Sequence, residues 1–155
     1  MNKYFMELAL FQPEIPHNTG AIIRMCACFS KTIHLIEPFG FSMEDKYLKR
    51  SGMDYIDIAS VKKYKSFESF VSENNEKRII IADVNGKKQY TDFKYSKNDI
   101  IVMGRESDGF PEEIILKSNE SIKITQKQSR SLNLAIASAI VFSEALRQTG
   151  HFHGK

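Results

Sequence analysis

The stretch YFMELALFQPEIPHNTGAIIRMCACF, residues 4–29, changes character twice along its length. Its opening, YFMELALF over residues 4–11, is almost continuously apolar, as a strand buried on both faces is. The polar loop QPEIPHNTG follows, and Ile22, Ile23, Met25, Cys26 and Phe29 then supply the apolar surface of a helix over residues 19–29. Asn18 or Thr19 can cap that helix by accepting a hydrogen bond from an otherwise unpaired backbone N–H. A buried strand running through a polar loop into a buried helix is the first half of a β-α-β unit.

Arg24 is the odd residue of this helix. A cation so near a helix start faces the positive end of the macrodipole, where an anion is preferred. Two uses fit: a stem lying along the core edge with its guanidinium in water or on a carboxylate, or a cation presented to a ligand.

The same alternation continues down the chain. Residues 32–37, 78–84, 99–104 and 121–125 read as further strands, and residues 43–51, 66–74, 111–117 and about 131–148 as helices. The pattern predicts an α/β fold with a largely parallel sheet flanked by helices, in one domain over residues 1–150 with a short tail at 151–155. In such sheets ligands bind beyond the carboxyl ends of the strands. The loops there, QPEIPHNTG, EPFGF, NGKK, GRESDGFP and QKQSRSLNL, hold many of the glycines and polar residues.

Composition narrows the function. The 155 residues are 42% hydrophobic and 26% charged, ordinary for a soluble globular chain able to bury a core without disulfides. The net charge of +3 permits nucleic-acid binding without arguing for it. The longest nearly apolar run, LAIASAIVF at 134–142, is too short to span a bilayer, and the first residues lack a secretory signal, so a cytoplasmic protein is expected. Cys26 and Cys28 lie on different helix faces and read as core thiols, while His151 and His153 read as part of a mobile end. No metal is expected.

Three motifs remain. GRESDG, residues 104–109, has neither the close glycine pair of a dinucleotide fingerprint nor the lysine of a phosphate loop, which disfavours nicotinamide and nucleoside-triphosphate chemistry. It is either a turn before a helix started by Pro111, or a loop whose glycines let backbone approach a flat ligand with Glu106 beside it. In SRSLNLAIASAIVFSEALRQ, residues 129–148, Ser129 or Ser131 can cap a buried helix, or Ser131 and Asn133 can face a ligand. DKYLKRSGMDY, residues 45–55, mixes Lys46, Lys49 and Arg50 with Tyr47 and Tyr55; a solvated helix face explains it, and so does an RNA-binding surface.

Taken in order, ALFQPEIPHNTGAIIRMCA, LIEPFGF, DKYLKRSGMDY, GRESDGFP and RSLNLA with EALRQ resemble the SPOUT superfamily of RNA methyltransferases. The likeness is greatest to the TrmL-like enzymes that methylate the ribose 2′-hydroxyl of the tRNA wobble nucleotide, cytidine or uridine 34. It runs from about Phe5 to Gln148. The resemblance implies a C-terminal deep trefoil knot holding S-adenosyl-L-methionine, with S-adenosyl-L-homocysteine as product, and a homodimer acting on the anticodon arm of tRNA. It places Asn18 and Arg24 at the reacting ribose. Ala82, Gly104, Ile124, Ser131 and Leu132 fall on the cofactor loops, with Glu106 and Asn133 at matching polar positions. Arg24, Lys46, Lys49, Arg50 and Arg130 are the candidates for RNA contact. The chain departs from the family pattern at Ile124, Thr125 and Gln126, at Ala135 and Ile136, and at Ser143. A SPOUT-fold RNA-binding protein with reduced catalysis, or a ribose methyltransferase acting on another RNA, are the alternative readings.

Overall fold

The computed structural model describes residues 5–52 and 60–153, so Tyr4 and Tyr55 lie outside the described residues, as do the last two residues of the tail. Among the described residues seven strands form one sheet: β1 (Glu7–Phe11), β2 (Thr32–Ile36), β3 (Ser60–Tyr64), β4 (Arg78–Ala82), β5 (Lys88–Gln89), β6 (Asp99–Met103) and β7 (Ser121–Lys123). Five helices among the same residues flank it: α1 (Pro16–Cys28), α2 (Lys46–Gly52), α3 (Phe67–Glu73), α4 (Glu112–Lys117) and α5 (Leu134–Gln148). The strand order is β3-β2-β1-β6-β4-β7-β5. Every pairing of these strands is parallel.

β1 is an inner strand, with Leu8 opposite Ile33 of β2 on one side and Ile101 of β6 on the other. Side chains alternate across it and divide the core in two. Leu8 and Leu10 join Ile22, Ile23, Cys26, Phe142 and Leu146 on the face covered by α1 and α5. Ala9 and Phe11 join Phe70, Phe110 and Ile114 on the face covered by α3 and α4. Burial on both faces is why β1 and β6 carry no polar alternation. Truncating a fully buried ring such as Phe142 or Phe70 to alanine costs roughly 3–5 kcal/mol.

The helix starts differ from those expected, for a local reason. α1 begins at Pro16, whose ring presets the helical φ, and its N-cap is Ile15, with no side-chain cap. Asn18 and Thr19 are therefore buried inside the first turns instead of capping them. In α5 the N-cap is Asn133, whose side-chain oxygen accepts from Ala135 N–H at 2.8 Å and Ile136 N–H at 3.2 Å, not Ser129 or Ser131.

The tail and the thiols also differ. His151 and Phe152 pack edge-on against Phe29, with ring centroids 5.5 and 5.9 Å away, so this end is docked on the end of α1. Cys26 is a core thiol whose pKa burial pushes up to about 12, whereas Cys28 is exposed. β3 and β5 escaped the sequence pattern: β3 is the lysine-bearing SVKKY at one edge, and β5 has two residues at the other.

Candidate active site

Beyond the carboxyl ends of β4, β6 and β7 lies a cavity of about 480 Å³. Ala82, Asp83 and Val84 line it after β4, Gly104 to Gly109 after β6, and Lys123, Ile124 and Gln126 at the end of β7. The entry to α5 supplies Ser131 to Leu134, Ala137 and Val141, and the entry to α1 adds Ile15 and Asn18.

GRESDG folds as a tight turn in which Arg105 and Gly109 exchange both backbone hydrogen bonds at 3.0 Å. The spacing of the two glycines follows from this. Gly109 takes a φ of +67°, and a Cβ on Gly104 would meet the Gly109 backbone at 2.9 Å. Arg105 donates to Gln12 Oε1 at 3.0 Å and lies over the Phe11 ring, while Gln12 itself takes the left-handed φ of +46°. Non-glycine residues in that region cluster at functional loops.

Glu106 supplies what α1 lacks. One carboxylate oxygen accepts from Glu14 N–H at 2.9 Å, and the other from Ile15 N–H at 2.9 Å and Asn18 Nδ2 at 3.4 Å. An anion at this end of the helix also meets the favourable end of its dipole. Glu14 returns the contact, its carboxylate accepting from Ser107 N–H at 2.8 Å and Ser107 Oγ–H at 3.0 Å. Asn133 Nδ2 donates to Asn18 Oδ1 at 3.0 Å, which ties α5 into the same network.

The structure thus brings Asn18, Ala82, Gly104, Glu106, Ile124, Ser131, Leu132 and Asn133 to one cavity. Arg24, Lys46, Lys49, Arg50 and Arg130 lie outside its lining and are exposed. α2, which carries three of these cations, meets the start of α1 where His17 Nδ1 and Ser51 Oγ are 3.0 Å apart. Lys46 covers the Tyr47 ring at 5.1 Å, and Lys49 pairs with Glu44 at 2.8 Å. Sequence reasoning did not single out Asp83, Val84, Glu14 or Ser107. Asp83 and Val84 were counted as strand, though β4 stops at Ala82, and Glu14 and Ser107 stood inside quoted motifs with no local pattern to mark them. Among the described residues no group of three or more His, Cys, Asp or Glu could hold a metal ion. Nor is any helix there long and apolar enough to cross a membrane.

The cavity lies beyond the carboxyl ends of a parallel sheet, where α/β proteins bind their ligands. Residues 6–143 match the SpoU rRNA Methylase family, and the chain belongs to that family. It is an enzyme of that kind, a methyltransferase. A tRNA (cytidine(34)-2′-O)-methyltransferase of Beijerinckia indica subsp. indica is 40% identical over 146 residues, 92% of this chain and 91% of the relative. A solved structure described as giving structural insights into the 2-OH methylation of C/U34 on tRNA is 33% identical, with a TM-score of 0.89 over 95% of this chain and 97% of that one. An AdoMet-bound rRNA methyltransferase from Sinorhizobium meliloti is 26% identical, with a TM-score of 0.82 over 92% of this chain and 56% of that one.

Proposed function

We propose that the chain transfers a methyl group from S-adenosylmethionine to the ribose 2′-oxygen of tRNA nucleotide 34, cytidine or uridine. One observation carries this reading: in a chain of this family, eight residues spread from Asn18 to Asn133 converge on one cavity of suitable chemistry. Its volume lies in the range of small-molecule sites. Ala82, Met103, Leu134, Ala137 and Val141 give an apolar surface for a purine, and Asp83 brings a carboxylate for a cationic ligand.

S-adenosylmethionine supplies an electrophilic methyl group on a positively charged sulfur. The chain's part is positioning, which accounts for much of the rate in such transfers. Asn18 spends one amide hydrogen on Glu106 and accepts one from Asn133, which leaves a second N–H and a lone pair for the ribose. Guanidinium groups do not give up their proton in proteins, so Arg24 is assigned to the nucleotide's phosphate or to the developing alkoxide. Lys46, Lys49, Arg50 and Arg130 contribute phosphate contacts along the anticodon arm.

The active species is a homodimer that uses no metal and acts in the cytoplasm. Support for the dimer comes from the outer side of α5, where Ile136, Ala139 and Ser143 are exposed. The C-terminal part is a deep trefoil knot, a reading supported by β6 lying between β1 and β4, and β7 between β4 and β5. Incubating the purified chain with methyl-labelled S-adenosylmethionine and tRNA in a chelator tests the reading. Label on tRNA supports it, and no label on any tRNA contradicts it.

A further inference from the structure

The stretch from the end of β4 through β5 to Tyr90 lies along β7 and fastens it step by step. Asp83 N–H donates to the Ile122 carbonyl at 2.9 Å, Lys87 N–H to Ser121 Oγ at 2.9 Å, and Tyr90 N–H to the Lys123 carbonyl at 2.8 Å. Gly86 passes so close that a Cβ would lie 2.2 Å from the Ile122 carbonyl oxygen. The last fastening reaches past the strand. Gln89 Oε1 accepts from Thr125 N–H at 2.9 Å and from Thr125 Oγ–H at 2.6 Å.

Thr125 is exposed and outside the cavity lining, yet its neighbours Ile124 and Gln126 both line it. Residues 124–133 form no helix or strand, so side-chain bonds must define the path of this wall. One oxygen holding both donors of Thr125 fixes its backbone and its rotamer together. We infer that Gln89 is a positioning residue for cofactor binding: by gripping Thr125 from outside, it holds Ile124 and Gln126 in the cavity wall. The inference rests on the reading of that cavity as the S-adenosylmethionine site. A wall ordered before binding spares the ligand the cost of ordering it.

Calorimetry with S-adenosylhomocysteine on the whole chain tests this. Gln89→Ala is expected to weaken binding roughly tenfold, the scale of two modest hydrogen bonds. Gln89→Glu is expected to bind like the parent, because a carboxylate accepts from both donors. Thr125→Val, which keeps the N–H and loses the hydroxyl, falls between them. Hydrogen exchange at the Thr125 amide speeds up in Gln89→Ala and not in Gln89→Glu, and in turnover the loss appears in the KM for S-adenosylmethionine far more than in kcat. Parent-like affinity in Gln89→Ala overturns the inference while leaving the cavity reading intact. No heat from the parent chain removes the cavity reading, and the inference with it. Should Gln89→Ala not fold, Thr125→Val decides: parent-like affinity there overturns the inference.

Discussion

The side-chain amide of Asn133 donates to the side-chain oxygen of Asn18 at 3.0 Å, joining the N-cap of α5 to the first turn of α1, 115 residues apart. Asn133 also caps α5 through its own side-chain oxygen. The cap and the tie to Asn18 use different ends of one amide, so they can be separated.

Asn133→Asp keeps the capping oxygen and loses the donor. Asparagine and aspartate cap helices about equally well, so Tm should fall little, while turnover should drop at least tenfold as Asn18 loses its orientation. Turning the Asn18 amide over would not repair this, because its oxygen would then face Glu106. Asn133→Ala loses both roles and should cost about 1 kcal/mol, a fall of roughly 3 °C. Melting curves and initial rates on the two variants separate the cap from the tie.

Arg24→Ala should leave folding and S-adenosylhomocysteine affinity nearly unchanged, because Arg24 is exposed and lies outside the cavity lining. Turnover on tRNA should collapse. Arg24→Lys should recover little, since a point charge does not reproduce a planar fork on phosphate or ribose oxygens. A melting curve, a titration and a methyl-transfer assay are read on the same preparations. A variant that melts far below the parent yet turns over normally would make Arg24 a structural residue.

Single alanine substitutions at Lys46, Lys49 and Arg50 should raise the KM for tRNA. Each is also expected to lower the slope of log affinity against log salt by about one, as loss of a phosphate contact does. Lys49 should give the smallest effect, because Glu44 already partners it at 2.8 Å. Filter binding of tRNA at several salt concentrations measures this.

Acid stability should depend on Glu7, far from the cavity. Burial raises its pKa, but hydrogen bonds and charge from His34 and Lys77 outweigh burial and lower it from 4.5 to about 2. A carboxyl whose pKa is depressed on folding stabilises the fold above its unfolded pKa, and loses that contribution as pH falls through the folded value. The parent should therefore be more stable than Glu7→Gln by on the order of 2 kcal/mol at neutral pH, with allowance for solvent screening. That difference should shrink from about pH 4.5 downward and be gone below about 2. Denaturant melts of both proteins across that range check the sign.

Much of this architecture was legible because buried parallel strands write themselves as apolar runs. ELALF, RIIIA and DIIVM each show one. β3 was not legible, because an edge strand faces solvent and its SVKKY looks like a charged loop. The starts of α1 and α5 were misplaced because several candidate caps stood side by side, and tertiary contacts chose among them. Asn18 serves Glu106 and Asn133 rather than its own helix, and Asn133 took the cap that Ser131 could have held. The cavity-lining residues came from the family resemblance and met in one place. Glu14 with Ser107, and Gln89 with Thr125, stayed hidden because a hydrogen bond between segments distant in the chain leaves no periodic mark in either.

The activity proposed for this chain is methylation of the ribose of tRNA nucleotide 34. The most direct measurement digests tRNA treated with the purified protein and S-adenosylmethionine, then locates the added methyl group by mass spectrometry, with Asn18→Ala as the control. A single methyl on the 2′-oxygen of cytidine or uridine 34, absent from the Asn18→Ala reaction, is the predicted result. A methyl on a base or at another nucleotide would contradict it, whereas equal methylation by Asn18→Ala would remove Asn18 from the site and leave the activity in place.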